Sequence, residues 1–411
     1  MSRLHLFQAY GIELEYMIVD RDTLKVRPIT DELFHKVMGA YVSDVENGSV
    51  TWCNELVTHV LEMKCTVPTS DLVALHADFH DNVVHINGLL REFNAMLLPS
   101  AAHPFMDPQT ETRLWPHDNN EVYDRYNQMF NCKGHGWSNL QSTHINFPFY
   151  DDEEFARLHA AIRLMLPLIP AIAASSPVLG GKATGQLDKR LDYYRKNQRV
   201  IPVITGKVIP ERVFGKRQYH KVIYDKIAER IATFNEDGLL DPVWVNSRGA
   251  IARFDRGSIE IRLMDIQEAP RMDMAIVSLI ISAVKMLADE HTCDYHTQQA
   301  WEAEDLLEIL LPCIDRGEHA EITNSAYIHL FGGMTGKMTA GELWQHIINE
   351  ICEYDDHLIA PFSDELNMLM NKGTLSTRIL KALDKQYTPD NIRAVYRELG
   401  DCLAEDQMFI P

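Results

Sequence analysis

The stretch that most limits what this chain can fold into is GIELEYMIVD, residues 11–20. It reads as a strand, yet it places Glu13 and Glu15 one residue apart inside an apolar run. Side chains two apart on a strand point to the same face, with Cα atoms roughly 7 Å apart. Two carboxylates about 5 Å apart repel by on the order of 3 kcal/mol at an effective dielectric near 20, before any desolvation cost. That face must therefore be wet, or something positive must sit on it.

Three further strands repeat the pattern. Residues 50–66, VTWCNELVTHVLEMKCT, read as one strand in which Glu62 shares its parity with Lys64 and Thr58, opposite Leu61 and Met63. In STHINFPF (142–149), His144 and Asn146 face away from Thr143, Ile145 and Phe147. In GSIEIRLMDIQ (257–267), Glu260 and Arg262 lie opposite Ile259, Ile261 and Leu263. Any one of these is an ordinary strand with one solvated face. Together their polar faces carry Glu13, Glu15, Glu62, Glu260, His144 and Asn146, with the Arg262 guanidinium beside them.

A curved sheet could gather those faces around one funnel. Oxygen-rich ligands with few nitrogens suit a hard cation such as Mg²⁺ or Mn²⁺ better than structural zinc. Such a cation offsets the repulsion between Glu13 and Glu15. Mg²⁺ is commonly shared between carboxylates and phosphate oxygens. An acidic funnel with an arginine at one end therefore points to a nucleotide polyphosphate.

The rest of the chain frames this sheet. A helix is expected over 70–97 with Ser70 as N-cap, and another over about 151–174, bent or ended by Pro167 and Pro170. SSPVLGGKATGQLDKR (175–190) is a Gly-containing loop. From about residue 269 the pattern turns helical. Thr339 and Glu342 offer a capping box, and Thr388 with Pro389 offers a helix start. Strands mostly precede helices instead of alternating with them, which predicts an α+β fold with a largely antiparallel sheet flanked by helices. We expect a catalytic unit over 1–290 and a helical region over 291–411 packed on the same domain.

A net charge of −20 argues against a protein that coats nucleic acid or an anionic membrane. The most apolar stretch, residues 160–174, is too short for a bilayer and contains Arg163. The start lacks a signal-like apolar segment. The 7 cysteines show no CxxC or zinc spacing and read as reduced thiols in a cytoplasmic protein. Oligomeric state stays open, with a homodimer as the default.

GIELEYMIVD, ELVTHVLEMKC, STHINFPF, ASSPVLGGKATGQLDKR and GSIEIRLMDIQ, in this order between residues 11 and 267, resemble the motifs of glutamate–cysteine ligase family 2, the bacterial carboxylate–amine ligases. The resemblance implies a glutamine-synthetase-like fold whose curved antiparallel sheet forms the active-site funnel. It implies ATP-dependent ligation, in which a carboxylate becomes an acyl phosphate that an amine attacks. On that resemblance Glu13 and Glu15 are the paired metal ligands, Glu62 the glutamate of the second motif and His144 the histidine of the third, with Asn146 two residues on. Glu260 would sit on metal and Arg262 towards the γ-phosphate. Arg190 closes the SSP…G…R loop, where it would touch substrate or phosphate. The family's glutamate-binding and cysteine-binding positions have no clear counterpart, so the resemblance speaks for the reaction class and a small-molecule acid and amine.

Other motifs carry less. GGKATG lacks the first glycine and the Ser or Thr of a P-loop, so Lys182 reads as solvated. Arg248, Arg253 and Arg256 precede the Glu260 strand, where one of them is expected to contact phosphate. RKNQR (195–199) is either a solvated surface or a patch that steers ATP, and His59 reads as structural. Two other readings remain open: phosphoryl transfer to an amine or guanidine on the same scaffold, and a regulatory or binding homologue without turnover.

Overall fold

The computed structural model describes residues 3–333 and 336–411. Its main sheet has eight strands: β1 (Gly11–Asp20), β2 (Asp44–Asn47), β3 (Val50–Asn54), β4 (Val60–Cys65), β5 (Ala95–Leu98), β6 (Ser142–Pro148), β7 (Ala250–Arg253) and β8 (Ser258–Asp265). The order is β2-β3-β4-β1-β6-β8-β7, and every pairing is antiparallel. β1 pairs with β6 over Gly11–Leu14 and with β5 over Met17–Asp20. The fold is α+β, as the sequence predicts.

Alternation fixes which face each residue takes. Ile12, Leu14, Leu61, Met63, Ile145, Phe147, Ile259 and Ile261 are buried in one core with Leu75 and Phe79 of the Leu72–Leu90 helix, Ile162 of Asp152–Met165 and Ile276 of Pro270–Ala288. Polar ties reinforce that layer: Trp52 Nε1 donates to Asn82 at 2.7 Å, and Thr143 Oγ1 to Asp273 at 2.6 Å.

Several boundaries differ from the sequence reading. Residues 50–66 form a hairpin, with β3 and β4 separated by a turn over 55–59. Thr58 lies in that turn and donates to the Arg113 carbonyl, so it does not share Glu62's strand face. The helix expected over 70–97 is capped by Asp71, whose carboxylate accepts from Ala74 N at 2.9 Å, and ends at Leu90. Asn94, at φ 52, turns the chain into β5. A four-residue apolar run such as AMLL carries no period that separates strand from helix. The second helix stops at Met165, continues as a 3₁₀ turn over Leu166–Leu168 and resumes over Pro170–Ala173, as its prolines dictate. The Thr339–Glu342 capping box forms in both directions, and Thr388 caps the Pro389–Glu405 helix.

The C-terminal helices close the far part of the sheet. Leu375, Ile379, Tyr396 and Leu399 pack with Met17, Val19 and Leu98 in a second core. A fully buried ion pair, Arg378 with Glu268, ties the Leu375–Leu383 helix to the chain just beyond β8, and Arg378 also donates to the Phe409 carbonyl at 2.7 Å. No helix among the described residues is long and apolar enough to cross a membrane.

Candidate active site

Register assembles the site. Across β1–β6, Glu13 faces His144; across β1–β4, Glu13 faces Lys64 and Glu15 faces Glu62; across β6–β8, Asn146 faces Glu260. Directly opposed side chains in such ladders lie about 5 Å apart. The E-x-E pair is thus flanked on one side by imidazole and on the other by a lysine and a further carboxylate. A bulge in β8 between Ile261 and Met264 carries Arg262, whose backbone N–H bonds the Gly249 carbonyl at 3.1 Å. Bulges re-aim side chains next to sites, and here Arg262 stays on the Glu260 face and pairs with it. Gly249 is required by this approach, because a Cβ there would lie 2.7 Å from Leu263.

Hydrogen bonds hold most of the polar groups. His144 Nδ1 bonds Glu13 at 2.9 Å, and Asn146 donates to the other Glu13 oxygen at 3.0 Å. Glu15 accepts from the Ser142 backbone N–H at 2.7 Å and from its hydroxyl at 2.9 Å. The same hydroxyl lies 3.0 Å from His144 Nε2. Burial would push the Glu13 carboxyl up, but the bond to His144, and the charges of His144, Arg262 and Lys64, hold it down at about 2. Burial would likewise lower His144, and Glu13 and Glu15 raise it.

Glu62 is different. It is 8 % exposed, and among the described residues its one ion-pair partner is Lys64 at 3.9 Å. Burial, with Glu13, Glu55 and Cys53 nearby, pushes its carboxyl well above the ordinary range. A buried carboxylate without a close partner is costly, and a cation is what it lacks. Two sets of groups bring one ligand atom each to within 4.8 Å of one another: Glu13, His144 and Glu260, and Glu15, Glu62 and His144. The donors are carboxylate oxygens with one shared imidazole, a set that fits Mg²⁺ or Mn²⁺.

These groups line a cavity of about 390 Å³ together with Glu55, Tyr123, Trp137, Tyr194 and Trp244. The sequence reading missed all five. Glu55 sits in the β3–β4 turn, and burial followed by the charge of Glu15 raises its carboxyl to about 8. Its signal was the adjacent polar pair Asn54–Glu55, which breaks the alternation of residues 50–66. The aromatic residues come from loops and short helices that carry no pattern of their own.

The predicted arginines fall into three classes. Arg190 lines the cavity at 1 % exposure, but it is paired with Asp265 and donates to the Leu263 carbonyl at 2.8 Å, so only part of its guanidinium is free for a ligand. Arg253 and Arg256 also line the cavity, and Arg253 Nε is buried without a hydrogen bond, the Asp255 carboxylate lying 3.5 Å away. Arg248 does not: it is buried and clamped by Glu211, with two N–O distances of 2.6 Å. Asn146 reaches the site through Glu13. His59 is buried and bonds the Ser138 carbonyl at 2.7 Å, Lys182 is exposed, and all 7 cysteines are free.

The model of glutamate–cysteine ligase family 2 matches residues 9–315. An uncharacterized protein of Archaeoglobus fulgidus is 30 % identical over 372 residues, covering 88 % of this chain and 98 % of that protein. A Bradyrhizobium sp. (strain ORS 278) protein provisionally named glutamate–cysteine ligase 2 is 27 % identical over 66 % of this chain, which spans only 60 % of that relative. The fold is that of two solved structures. A Francisella tularensis glutamate–cysteine ligase in complex with AMP superposes at a TM-score of 0.56, with 11 % identity, over 97 % of this chain and 90 % of its own. A bifunctional glutathione synthetase from Pasteurella multocida reaches 0.58, with 13 % identity, over 96 % and 53 %. With its motifs in order and the family model running through both the sheet and the cavity, this chain belongs to glutamate–cysteine ligase family 2.

Proposed function

We propose that the protein is an ATP-dependent carboxylate–amine ligase that forms an amide bond through an acyl phosphate. The observation that carries this reading is the pair of three-residue ligand sets sharing His144, with Glu62 left without a close partner, beside the Arg262 guanidinium. Family membership and the glutamate–cysteine ligases among its relatives support it.

Glu13, Glu15, Glu62, His144 and Glu260 would hold two or three Mg²⁺ or Mn²⁺ ions. Those ions would supply charge compensation between the substrate carboxylate and the γ-phosphate. Ser142 and Asn146 orient Glu15 and Glu13 before any ligand arrives, which limits reorganisation in the reacting complex. Arg262, fixed by Glu260, faces the phosphoryl group in flight, while Arg190, Arg253 and Arg256 bind the anionic parts of nucleotide and acid. Tyr123, Trp137 and Trp244 line the cavity, and an aromatic lining would limit water at an acyl phosphate while the amine attacks. The substrates are a small acid and a small amine. The free thiols accord with a cytoplasmic setting.

The test is an ADP-release screen of acids against amines with Mg²⁺, followed by mass spectrometry of the product. The reading requires an amide, formed with one ADP per bond, and its loss in Glu260→Gln. ADP release with a phosphorylated amine and no amide would replace ligation with phosphoryl transfer.

A further inference from the structure

A second cavity, of about 730 Å³, shares no lining residue with the active-site cavity. Three distant segments build it: the turn after β1 (22–25), the segment 103–111 and the Pro389–Glu405 helix. Its floor is fixed. Leu24 takes the left-handed conformation at φ 56, and its carbonyl accepts from His103 Nε2 at 2.7 Å. His103 is fully enclosed, and its Nδ1 accepts from Met106 N at 2.9 Å. The walls are apolar at Leu24, Phe105 and Ala394, and the Arg393 guanidinium lies over the Phe105 ring at 5.3 Å.

The charges around this cavity are unevenly satisfied. Asp22 accepts from the Asn94 side chain at 2.8 Å, and Glu111 from the Asp107 backbone N–H at 2.8 Å. Asp390 pairs with Arg393 at 3.0 Å but is 99 % exposed. Lys25 and Arg397, in contrast, have no carboxylate within 4.0 Å among the described residues. Arg397 donates to the Asp22 carbonyl at 2.7 Å. Asp22 and Glu111 are engaged by amide and backbone donors and Asp390 by Arg393, which leaves Lys25 and Arg397 as the lining cations without a carboxylate partner among the described residues, beside a space of ligand size with an aromatic wall.

We propose that this cavity binds a small organic anion, its charged group between Lys25 and Arg397 and a flat apolar body against Phe105. The site is independent of the ligase chemistry proposed above.

Phenyl phosphate is the probe, titrated by calorimetry against the full chain, with inorganic phosphate as the comparison. Phenyl phosphate should bind in the millimolar range or tighter, and more tightly than inorganic phosphate. Lys25→Ala and Arg397→Ala should each weaken it about fivefold, an exposed ion-pair contribution of about 1 kcal/mol. Saturating Mg·ATP should leave it in place, as should Glu260→Gln. Lys25 is exposed and its side chain makes no bond among the described residues, so its variant tests the site without disturbing the fold. No binding at about 10 mM, displacement by Mg·ATP, or unchanged affinity in Lys25→Ala would overturn the proposal.

Discussion

One face of one strand does two different jobs. Glu13, Glu15, Met17 and Val19 all point to the same side of β1. The first two look into a cavity beside β6 and its His144; the last two lie beside β5 and are sealed under the C-terminal helices. The strand geometry is the same along its length, so the difference comes from what covers it. Where Leu399, Tyr396 and Ile379 arrive, apolar side chains gain by leaving water. Where the C-terminal helices do not arrive, carboxylates can be held in place by hydrogen bonds and left short of positive charge. The C-terminal helices thus define the edge of the site by sealing the half of the face that carries no chemistry.

The sharpest way to break this comparison is to exchange the roles of the two halves. Glu15→Gln keeps its shape and its place beside Ser142, so Mg²⁺-dependent ADP formation should fall by about a thousandfold or more, roughly 4 kcal/mol of transition-state stabilisation. Its melting temperature should stay level or rise, because a buried repulsion is removed. Leu399→Ala on the dry side should do the reverse: a loss of about 3 kcal/mol in denaturant unfolding from the cavity it leaves, with unchanged metal affinity. If Leu399→Ala also abolished metal binding, the two halves would not be separable.

Gly249→Ala tests the border between architecture and chemistry. The added methyl meets Leu263, so we expect about 2 kcal/mol of destabilisation from overpacking, and a drop in turnover as the β8 bulge carrying Arg262 shifts. Loss of stability with unchanged turnover would show that the bulge does not aim Arg262.

The smallest effect at neutral pH concerns the histidines, and the two environments give it opposite signs. Burial lowers His59 and His103 to about 4, so both stay neutral in the fold but protonate near 6.5 when unfolded. Their contribution is present above pH 6.5 and is lost as pH falls towards 4. His144 is raised by Glu13 and Glu15, so its contribution is present below 6.5 and is lost as pH rises through its folded value. Histidine-resolved NMR of the metal-free protein should show His144 titrating above the other two.

How much of this was legible in the sequence follows from the same physics. The E-x-E, H-x-N and E-x-R spacings were readable because strand alternation puts residues two apart on one face, and antiparallel register then brings those faces together. Glu55 is harder to read, because the polar pair Asn54–Glu55 is a brief break in an apolar run that otherwise looks like continued strand. Residues 94–97 fall inside the helix expected over 70–97 for a related reason: the run is too short to show a period. Arg248 looked like Arg253 in the sequence, and only the arrival of Glu211 across the fold made it structural. Arg190 carries both characters, since its Asp265 partner lies 75 residues away.

The central claim is that divalent ions join carboxylates from separate strands to a nucleoside triphosphate. Calorimetric titration of Mn²⁺ and ATP, together and separately, into the wild type and Glu62→Gln tests it directly. The account predicts ATP binding that needs the metal in the wild type and is weakened at least tenfold, about 1.4 kcal/mol, in the variant. Equal binding of Mn·ATP to both proteins, or ATP binding that ignores the metal, would contradict it.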